Sequence, residues 1–304
     1  SVFLNGTIED DVPASQIDFA NKMIGGGVLG HGCVQEEIRF LINTECIISR
    51  LFTEEFDDNE CVIIRGAKRF SKYLGYSDSF RYDSPYVYAD GSEDHKEEIV
   101  AIDALDFAHR GMFRSKTDQY KPEWIQRELN KAYCSMQKLS YDPYNHDLKV
   151  ATGHWGGGAF SGDRELKAVI QLMAASQAQR TSVDYFAYGD EEFVKKFDPM
   201  YSNLVCIEAT VGELYSCLME YRTKRVQTRQ KQKQLGIAER MPSVLDFIFS
   251  WFVAETGDDL LTGDGVQGAE VDSNTTAAPV VLDPITQCET VLDTSTTGLD
   301  IAQD

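Results

Sequence analysis

Short apolar runs rich in β-branched residues alternate along this chain with segments whose apolar residues recur every three or four positions. The runs predict strands at residues 47–52, 61–64, 99–105, 148–152, 183–188 and 204–209. The helical periodicity covers residues 34–43, 122–139 and 163–180, and Pro122 stands where a first-turn proline belongs. Alternating strands and helices predict an α/β fold in which helices pack on a sheet.

The C-terminal part of the chain has a different pattern. Residues 211–240 predict one or two helices after the last strand. From about Gly257 the chain is rich in Gly, Asp, Thr and Ser and poor in aromatic residues, a composition typical of disorder. The sequence therefore predicts an α/β domain over residues 1–221, a helical extension over 222–256 and an acidic disordered tail over 257–304.

The charge of the chain limits the partners it can bind. The 304 residues carry a net charge of -20, and residues 241–304 contain twelve acidic residues and no Lys or Arg. An acidic protein is a poor binder of nucleic acid by phosphate neutralisation, so we predict no direct DNA binding. The exception is a basic run, which is either a solvated helix face, a substrate contact or a nuclear import signal; it consists of Arg222, Lys224, Arg225, Arg229, Lys231 and Lys233.

Cysteine usage and hydropathy exclude several other classes. The seven cysteines include no Cys-x-x-Cys pair and no close Cys/His cluster, which disfavours a disulfide framework and a zinc site and favours a reducing compartment. We predict no metal and no cofactor. The first residues lack the features of a signal peptide, and the apolar run at 244–254 is too short to cross a bilayer, so no membrane association is predicted.

The candidate chemistry begins in residues 25–37, which read GGGVLGHGCVQEE. Gly25, Gly26 and Gly27 can expose backbone N–H groups to an anionic oxygen such as a phosphate. The carboxylates of Glu36 and Glu37 are the usual groups for protonating a leaving group and activating water. This combination predicts hydrolysis of a phosphorylated or nucleotide-like substrate.

Other interpretations of this stretch exist. Residues 25–30 match the dinucleotide-binding pattern G-x-G-x-x-G, but that pattern requires a buried strand immediately before it. Residues 18–22 are too polar for a central strand, so we exclude a nicotinamide-dependent oxidoreductase. The glycines alone could form a tight turn, and acids in the first turn of a helix can simply compensate the helix dipole.

A second glycine-rich loop, HWGGGAF at residues 154–160, lies between a predicted strand and a predicted helix. A strand–helix turn does not need this many glycines, whereas a phosphate held at a helix N-terminus does. We therefore interpret residues 154–160 as a phosphate-binding loop.

The spacing of these residues resembles the poly(ADP-ribose) glycohydrolase family, whose signature is three glycines, seven residues and Gln-Glu-Glu. The resemblance extends over roughly residues 7–221. It is carried by DFAN at 18–21, IRFLIN at 38–43, SRLFTE at 49–54, EIVAIDAL at 98–105, RELNKAYC at 127–134 and ATGHWGGGAF at 151–160.

The resemblance implies a macrodomain, in which a mixed sheet is flanked by helices, and hydrolysis of the ribose–ribose O-glycosidic bond of poly(ADP-ribose). In the family the second glutamate of the pair is the general acid/base and the first holds ribose hydroxyls. This assigns catalysis to Glu37, positioning to Glu36 and a supporting hydrogen bond to Gln35. The alternative is a macrodomain that binds ADP-ribose without cleaving it, which would not need Gln35, Glu36 and Glu37.

The resemblance also implies a set of ligand contacts. Asp18 and Asn21 would hold ribose hydroxyls and Glu9 the adenine edge, although Asp18 and Glu9 could equally cap loops. Tyr76 and Tyr188 occupy positions where the family packs aromatic side chains around the ligand, Tyr188 in place of the more usual Phe; both could be ordinary core aromatics.

The diphosphate of ADP-ribose would contact the second glycine loop at Gly157, Gly158, Ala159 and Phe160. His154 stands where the family usually has Asn, and either side chain can donate a hydrogen bond.

The family context gives further expectations. Partners would be poly(ADP-ribose) and poly(ADP-ribosyl)ated proteins, encountered by a monomer in the nucleus and cytoplasm during the DNA damage response. We also expect this chain to lack the helical region that usually precedes the domain in the family.

Overall fold

The structure is a computed structural model that describes residues 1–88, 98–108, 118–138, 148–236, 240–259 and 289–293. The strands are β1 (Val2–Phe3), β2 (Ala14–Ala20), β3 (Cys61–Arg65), β4 (Ser71–Leu74), β5 (Arg81–Pro85), β6 (Glu98–Asp103), β7 (Lys149–Gly153), β8 (Val183–Phe186) and β9 (Glu289–Asp293). The α-helices are α1 (Gln35–Ile42), α2 (Pro122–Met136), α3 (Arg164–Gln177), α4 (Glu191–Cys206), α5 (Val211–Leu235) and α6 (Val244–Asp259).

The main sheet is mixed and has the strand order β1-β8-β7-β2-β6-β3-β9. Strands β1, β8, β7, β2 and β6 run parallel to one another, and β3 pairs antiparallel with β6. Strands β4 and β5 form a separate antiparallel hairpin. Because the carboxyl ends of parallel strands meet at one edge, the loops that follow β2, β6, β7 and β8 are brought together there.

Strand β2 lies at the centre of the sheet and is buried along almost its whole length, as strands covered by helices on both faces are. Two of its polar side chains are buried with partners: Ser15 donates to Glu98 at 2.7 Å, and Gln16 donates to the carbonyl oxygen of Asp11 at 2.9 Å. These hydrogen bonds offset the cost of removing Ser15 and Gln16 from water.

Helices α2 and α3 pack together over one face of the sheet, and α5 and α6 pack on them. Residues of α5 and α6 belong to the same apolar core as the sheet, so the predicted boundary between residues 221 and 222 falls inside α5 and does not separate two cores. On the other face, α1 packs against β2 beside a smaller core that includes Phe40 and Phe56.

The predicted α/β class is confirmed, as are strands at β3, β6, β7 and β8 and helices at α1, α2 and α3. Two predicted strands are wrong. Residues 47–52 lie mostly in a 3₁₀ helix, Thr44–Leu51, and residues 204–206 are the last turn of α4. Apolar residues in both segments are exposed, among them Ile48, Leu51 and Val205, so an apolar run did not indicate a buried strand here.

The dismissal of a strand before the first glycine loop is also wrong. Strand β2 ends at Ala20, five residues before Gly25, so the strand that a dinucleotide-binding pattern requires is present. The oxidoreductase interpretation therefore depends on whether the backbone N–H groups of residues 25–27 are free to bind a phosphate.

Most of the tail predicted as disordered lies outside the described residues. Within it, residues 257–259 end α6, and β9 pairs in parallel with the edge strand β3, so disorder over the whole of 257–304 is corrected for these residues. None of the described helices has the length and apolar content that a membrane span requires.

Candidate active site

A cleft of about 420 Å³ opens at the sheet edge where β2, β6, β7 and β8 end. Its lining includes the first turn of α1, the loop after β7, the segment before β2, the end of β2, and residues of the β4–β5 hairpin and of the end of β8. The predicted site residues that line it are Glu9, Asn21, Gln35, Glu36, Glu37, Tyr76, His154, Gly157, Gly158, Ala159, Phe160 and Tyr188. Of the residues predicted to bind substrate, Asp18, Gly25, Gly26 and Gly27 are not part of the lining.

The two glutamates of the signature lie in the first turn of α1, and both are almost fully buried. Glu37 accepts hydrogen bonds from the backbone N–H groups of Gly27 and Val34, each at 2.9 Å. Glu36 accepts from the N–H groups of Asn21 at 2.9 Å and Gly25 at 2.5 Å. Four backbone donors therefore fix two carboxylates at the wall of the cleft.

The predicted role of the first glycine loop is wrong for this structure. The N–H groups of Gly25 and Gly27 are engaged by Glu36 and Glu37, and that of Gly26 donates to the carbonyl oxygen of Met23 at 3.0 Å. Because all three donors are occupied, this loop cannot bind a diphosphate through them. The same occupancy removes the phosphate site on which the oxidoreductase interpretation depends.

The glycines are nevertheless required, because the loop wraps tightly around the carboxylates. Gly26 has a φ of +44°, and a Cβ there would lie 2.6 Å from Oε1 of Glu37 and 2.7 Å from Oε2 of Glu36. A Cβ on Gly32 would lie 2.6 Å from the same Glu37 oxygen. The side chain of Arg50 holds the loop in place, because it donates to the carbonyl oxygens of Ile24 at 3.1 Å and Gly26 at 2.8 Å.

Gln35 and Asn21 connect this loop to the central strand. The Gln35 side chain accepts from the N–H of Phe19 at 2.8 Å and donates to the carbonyl oxygen of Ile17 at 3.3 Å, so it extends the ladder of β2. The exposed Asn21 accepts from the N–H of Met23 at 3.0 Å. Its amide nitrogen has no acceptor among the described residues and remains able to bind a ligand hydroxyl.

Asp18 differs from its prediction as a ribose contact. Its side chain is 1% exposed, and neither carboxylate oxygen has a hydrogen-bond partner among the described residues. Burial raises the pKa of Asp18 to about 7, against the opposing charge of Arg39. Asp18 lies behind Glu36 instead of in the cleft: burial raises the pKa of Glu36 to about 10, and the charge of Asp18 adds to the rise.

The loop after β7 has the free donors that the first loop lacks. Within the described residues, no acceptor bonds to the backbone N–H of Gly158, Ala159 or Phe160. A Cβ on Gly158 would meet no atom within 4 Å, whereas one on Gly157 would lie 2.8 Å from Cγ of Arg164. The loop leads to Asp163, which caps α3 by accepting from the N–H of Leu166 at 3.0 Å. Three free N–H groups beside a helix N-terminus form an anion site.

His154 lines the cleft but does not offer a free ring nitrogen. Nδ1 lies 2.9 Å from the hydroxyl of Tyr185, and Nε2 lies 3.1 Å from the carbonyl oxygen of Ala187. Burial lowers the pKa of His154, and the charge of Arg164 lowers it further. A neutral ring that donates from Nε2 and accepts at Nδ1 satisfies both contacts, so the predicted side-chain hydrogen bond to a ligand is replaced by a structural role.

Aromatic side chains and Glu9 also line the cleft. The rings of Tyr76 and Tyr188 have centroids 5.6 Å apart, and Tyr188 is 66% exposed. A pair of aromatic rings at a cleft mouth can stack on a flat base. Glu9 accepts a hydrogen bond from the hydroxyl of Tyr73 at 2.5 Å, and Arg69 donates to its carbonyl oxygen at 3.1 Å.

Several lining residues were not predicted from the sequence, among them Thr7, Phe19, Tyr73, Trp155, Arg164 and Phe186. The signal for Phe19 and Phe186 was available, since each stands at the carboxyl end of a parallel strand. Tyr73 lies in the β4–β5 hairpin, and no local pattern links that hairpin to the cleft. In the part of the chain that the structure describes, no group of His, Cys, Asp or Glu is arranged to hold a metal ion.

The glycine loop gives a prediction about stability. We expect Gly26→Ala to lower the free energy of unfolding by about 1–3 kcal/mol, because it forces a strained φ and pushes both carboxylates aside. Gly30→Ala is the matched control, since its Cβ would meet only the carbonyl oxygen of Gly27 at 3.5 Å. Denaturant unfolding of both variants measures the difference. Equal stabilities would show that Gly26 is not required by the carboxylates.

The buried acid gives a prediction about pH. In the folded chain Glu36 keeps its proton far above its ordinary pKa of 4.5, so unfolding releases a proton and stability falls as pH rises towards 10. Between pH 7.5 and 9.5, above the pKa of Asp18, the melting temperature of the wild type should decrease more steeply than that of Glu36→Gln. Glu191→Gln, an exposed first-turn glutamate of α4, should keep the wild-type slope. Identical slopes for wild type and Glu36→Gln would contradict a protonated Glu36.

Comparison with known proteins agrees with this geometry. Residues 1–195 match the family described as "Poly (ADP-ribose) glycohydrolase (PARG), Macro domain fold". Poly(ADP-ribose) glycohydrolase 1 of Arabidopsis thaliana is 33% identical over 299 residues, covering 76% of this chain and 53% of the relative. Poly(ADP-ribose) glycohydrolase 1 of Caenorhabditis elegans is 34% identical over 220 residues, covering 69% of this chain and 28% of the relative.

The chain thus spans about half the length of the plant relative and less of the nematode one. The match of the family description covers strands β1 to β8, both glycine loops and α1. This chain therefore belongs to the poly(ADP-ribose) glycohydrolase family and has its macrodomain fold.

Proposed function

We propose that this chain hydrolyses the ribose–ribose O-glycosidic bond of poly(ADP-ribose) and releases ADP-ribose. The observation that carries the proposal is the carboxylate of Glu37, which lines the cleft while two backbone N–H groups fix its position. A carboxylate has about four lone-pair sites, so two donors leave it able to carry and deliver a proton.

Glu37 would act in both halves of the reaction. It protonates the oxygen of the leaving ribose as the glycosidic C–O bond breaks and an oxocarbenium-like centre forms. It then accepts a proton from the water whose oxygen bonds to that centre, so one water is consumed and the carboxyl group returns to its starting state. The three free N–H groups of Gly158, Ala159 and Phe160 would hold the diphosphate meanwhile.

The other two glutamates of the cleft are poor candidates for a second catalytic carboxylate. The raised pKa of Glu36 keeps it neutral near pH 7, so it is neither a base nor a nucleophile, although it can still position a ribose hydroxyl. Glu9 is engaged by Tyr73. A single acid/base is therefore the mechanism that the described residues support.

The second candidate function is binding of ADP-ribose without cleavage. The aromatic pair and the loop after β7 serve both functions equally. Binding alone does not explain why four backbone donors, and Gly26 at a positive φ, are used to orient two carboxyl groups, so we favour hydrolysis. We further propose that the substrates are poly(ADP-ribosyl)ated proteins and that the chain acts as a monomer in the nucleus and cytoplasm in the response to DNA damage.

The catalytic assignment is tested with Glu37→Gln. We expect kcat for release of ADP-ribose from labelled polymer to fall by about 10²–10⁴, because an amide cannot transfer the proton. ADP-ribose binding, measured by calorimetry, should change little. Glu191→Gln is the control and should keep full activity. Near-normal turnover by Glu37→Gln would refute the assignment, and a wild type that binds ADP-ribose but never cleaves polymer would favour the second candidate.

The diphosphate assignment is tested with Gly158→Val. A side chain there meets no protein atom nearby, so the melting temperature should be unchanged. The dissociation constant for ADP-ribose should rise about 10- to 100-fold as charge-assisted hydrogen bonds are lost. Gly157→Ala is the contrast, since its Cβ would press on Arg164 and should lower stability as well. Unchanged affinity in Gly158→Val would place the diphosphate elsewhere.

A further inference from the structure

The C-terminal half of α5 carries an unusual concentration of positive charge for an acidic protein. Residues 221–236 contain no acid, and their cations are Arg222, Lys224, Arg225, Arg229, Lys231 and Lys233. We define the basic end of α5 as residues 229–235. Every residue of this end is exposed, and no described carboxylate pairs with Arg229, Lys231 or Lys233. Unpaired cations on this exposed end of the helix contribute little to the fold.

The packing of α5 shows where this end lies. Near its start, Val211 and Tyr215 share a crevice with Met173 and Gln177, which are close to the C-terminal end of α3. Further along, the guanidinium of Arg225 lies 4.1 Å from the ring centroid of Tyr120, whose hydroxyl donates to Asp163 at 2.5 Å. Asp163 caps the N-terminus of α3. Helix α5 therefore runs antiparallel to α3 and reaches its N-terminal end at Arg225.

The N-terminal end of α3 is also the edge of the cleft, because Asp163 follows the loop of residues 157–160 by three residues. Beyond Arg225, α5 continues to Leu235, a length of about 15 Å at 1.5 Å per residue, and its residues 229–235 are exposed. The basic end of α5 thus extends past the same edge of the sheet at which the anion site opens.

From this placement we infer that the basic end of α5 is a second binding site for poly(ADP-ribose), outside the cleft. The inference rests on the proposed function and specifies how the polymer is held. Each unit of the polymer carries a diphosphate, and the cleft has three free N–H groups for one of them. The neighbouring units must pass over a body of net negative charge. Three unpaired cations beside the cleft would attract these diphosphates and reduce the repulsion.

The test compares two triple variants in a Glu37→Gln background, so that polymer is bound but not consumed. One is Arg229→Gln/Lys231→Gln/Lys233→Gln. The control is Lys22→Gln/Lys138→Gln/Lys195→Gln, which removes the same charge from exposed positions elsewhere. The probes are long poly(ADP-ribose) chains, monomeric ADP-ribose and a DNA duplex. Dissociation constants are measured over a range of salt concentrations.

We expect the α5 variant to bind long polymer about ten-fold more weakly at low salt and to bind ADP-ribose as the parent does. The slope of log affinity against log salt should decrease by about 0.7 for each phosphate contact removed, as for a single strand. The control should match the parent. Equal polymer affinity in the α5 variant and the control would overturn the inference. Loss of duplex binding with polymer binding retained would assign the helix to nucleic acid and overturn it as well.

The same variants with Glu37 restored separate this inference from the proposed function. If the wild type releases ADP-ribose and the α5 variant does so with unchanged KM on long polymer, only the second site is refuted. If the wild type releases none, the proposed function fails, whereas the binding comparison still decides whether α5 binds the polymer.

Discussion

Four hydrogen bonds from backbone N–H groups to the carboxylates of Glu36 and Glu37 determine the geometry of this site. Three of them tie the first turn of α1 to the loop that leaves the central strand β2, and the fourth, from Val34, caps α1. Each hydrogen bond contributes on the order of 1 kcal/mol, and together they satisfy acceptor oxygens that would be costly to bury without partners. The contiguous glycines, the positive φ of Gly26 and the supporting Arg50 all follow from the need to bring the backbone this close.

The two glycine-rich loops look alike in the sequence, but their backbone N–H groups have different acceptors. In the loop at residues 25–27, the N–H groups of Gly25 and Gly27 donate to the carboxyl groups of Glu36 and Glu37. The loop at residues 157–160 keeps the donors of Gly158, Ala159 and Phe160 free. Both loops stand at the carboxyl edge of the sheet, so a diphosphate on the second loop lies in the same cleft as the carboxylates on the first. The acid and the anion site can then act on one substrate.

The local sequence pattern was sufficient to predict features that depend on residues close together in the chain. These features are the buried strands β3 and β6, the helices α1 and α3, and the position of Glu36 and Glu37 in the first turn of α1. Strand β2 was missed because Ser15, Gln16 and Asp18 look like surface residues. Ser15 and Gln16 can be buried because they have partners in space, Glu98 for Ser15 and the backbone of Asp11 for Gln16.

The same limit applies within the site. A sequence shows that Gly25 and Gly27 have N–H groups but not what accepts from them, and it shows a His154 but not that Tyr185 and Ala187 occupy both ring nitrogens. The family resemblance predicted Asp18 as a ribose contact, while its burial and its lack of hydrogen-bond partners among the described residues depend on how α1 packs over β2.

The most direct test of the different use of the two glycine loops is a crystal structure of the chain with ADP-ribose bound. We predict that the diphosphate oxygens lie within hydrogen-bond distance of the N–H groups of Gly158, Ala159 and Phe160. We also predict that Gly25 and Gly27 still donate to Glu36 and Glu37, with a ribose next to Glu37. A diphosphate bound to Gly25, Gly26 and Gly27, with the glutamates released from the loop, would contradict these predictions.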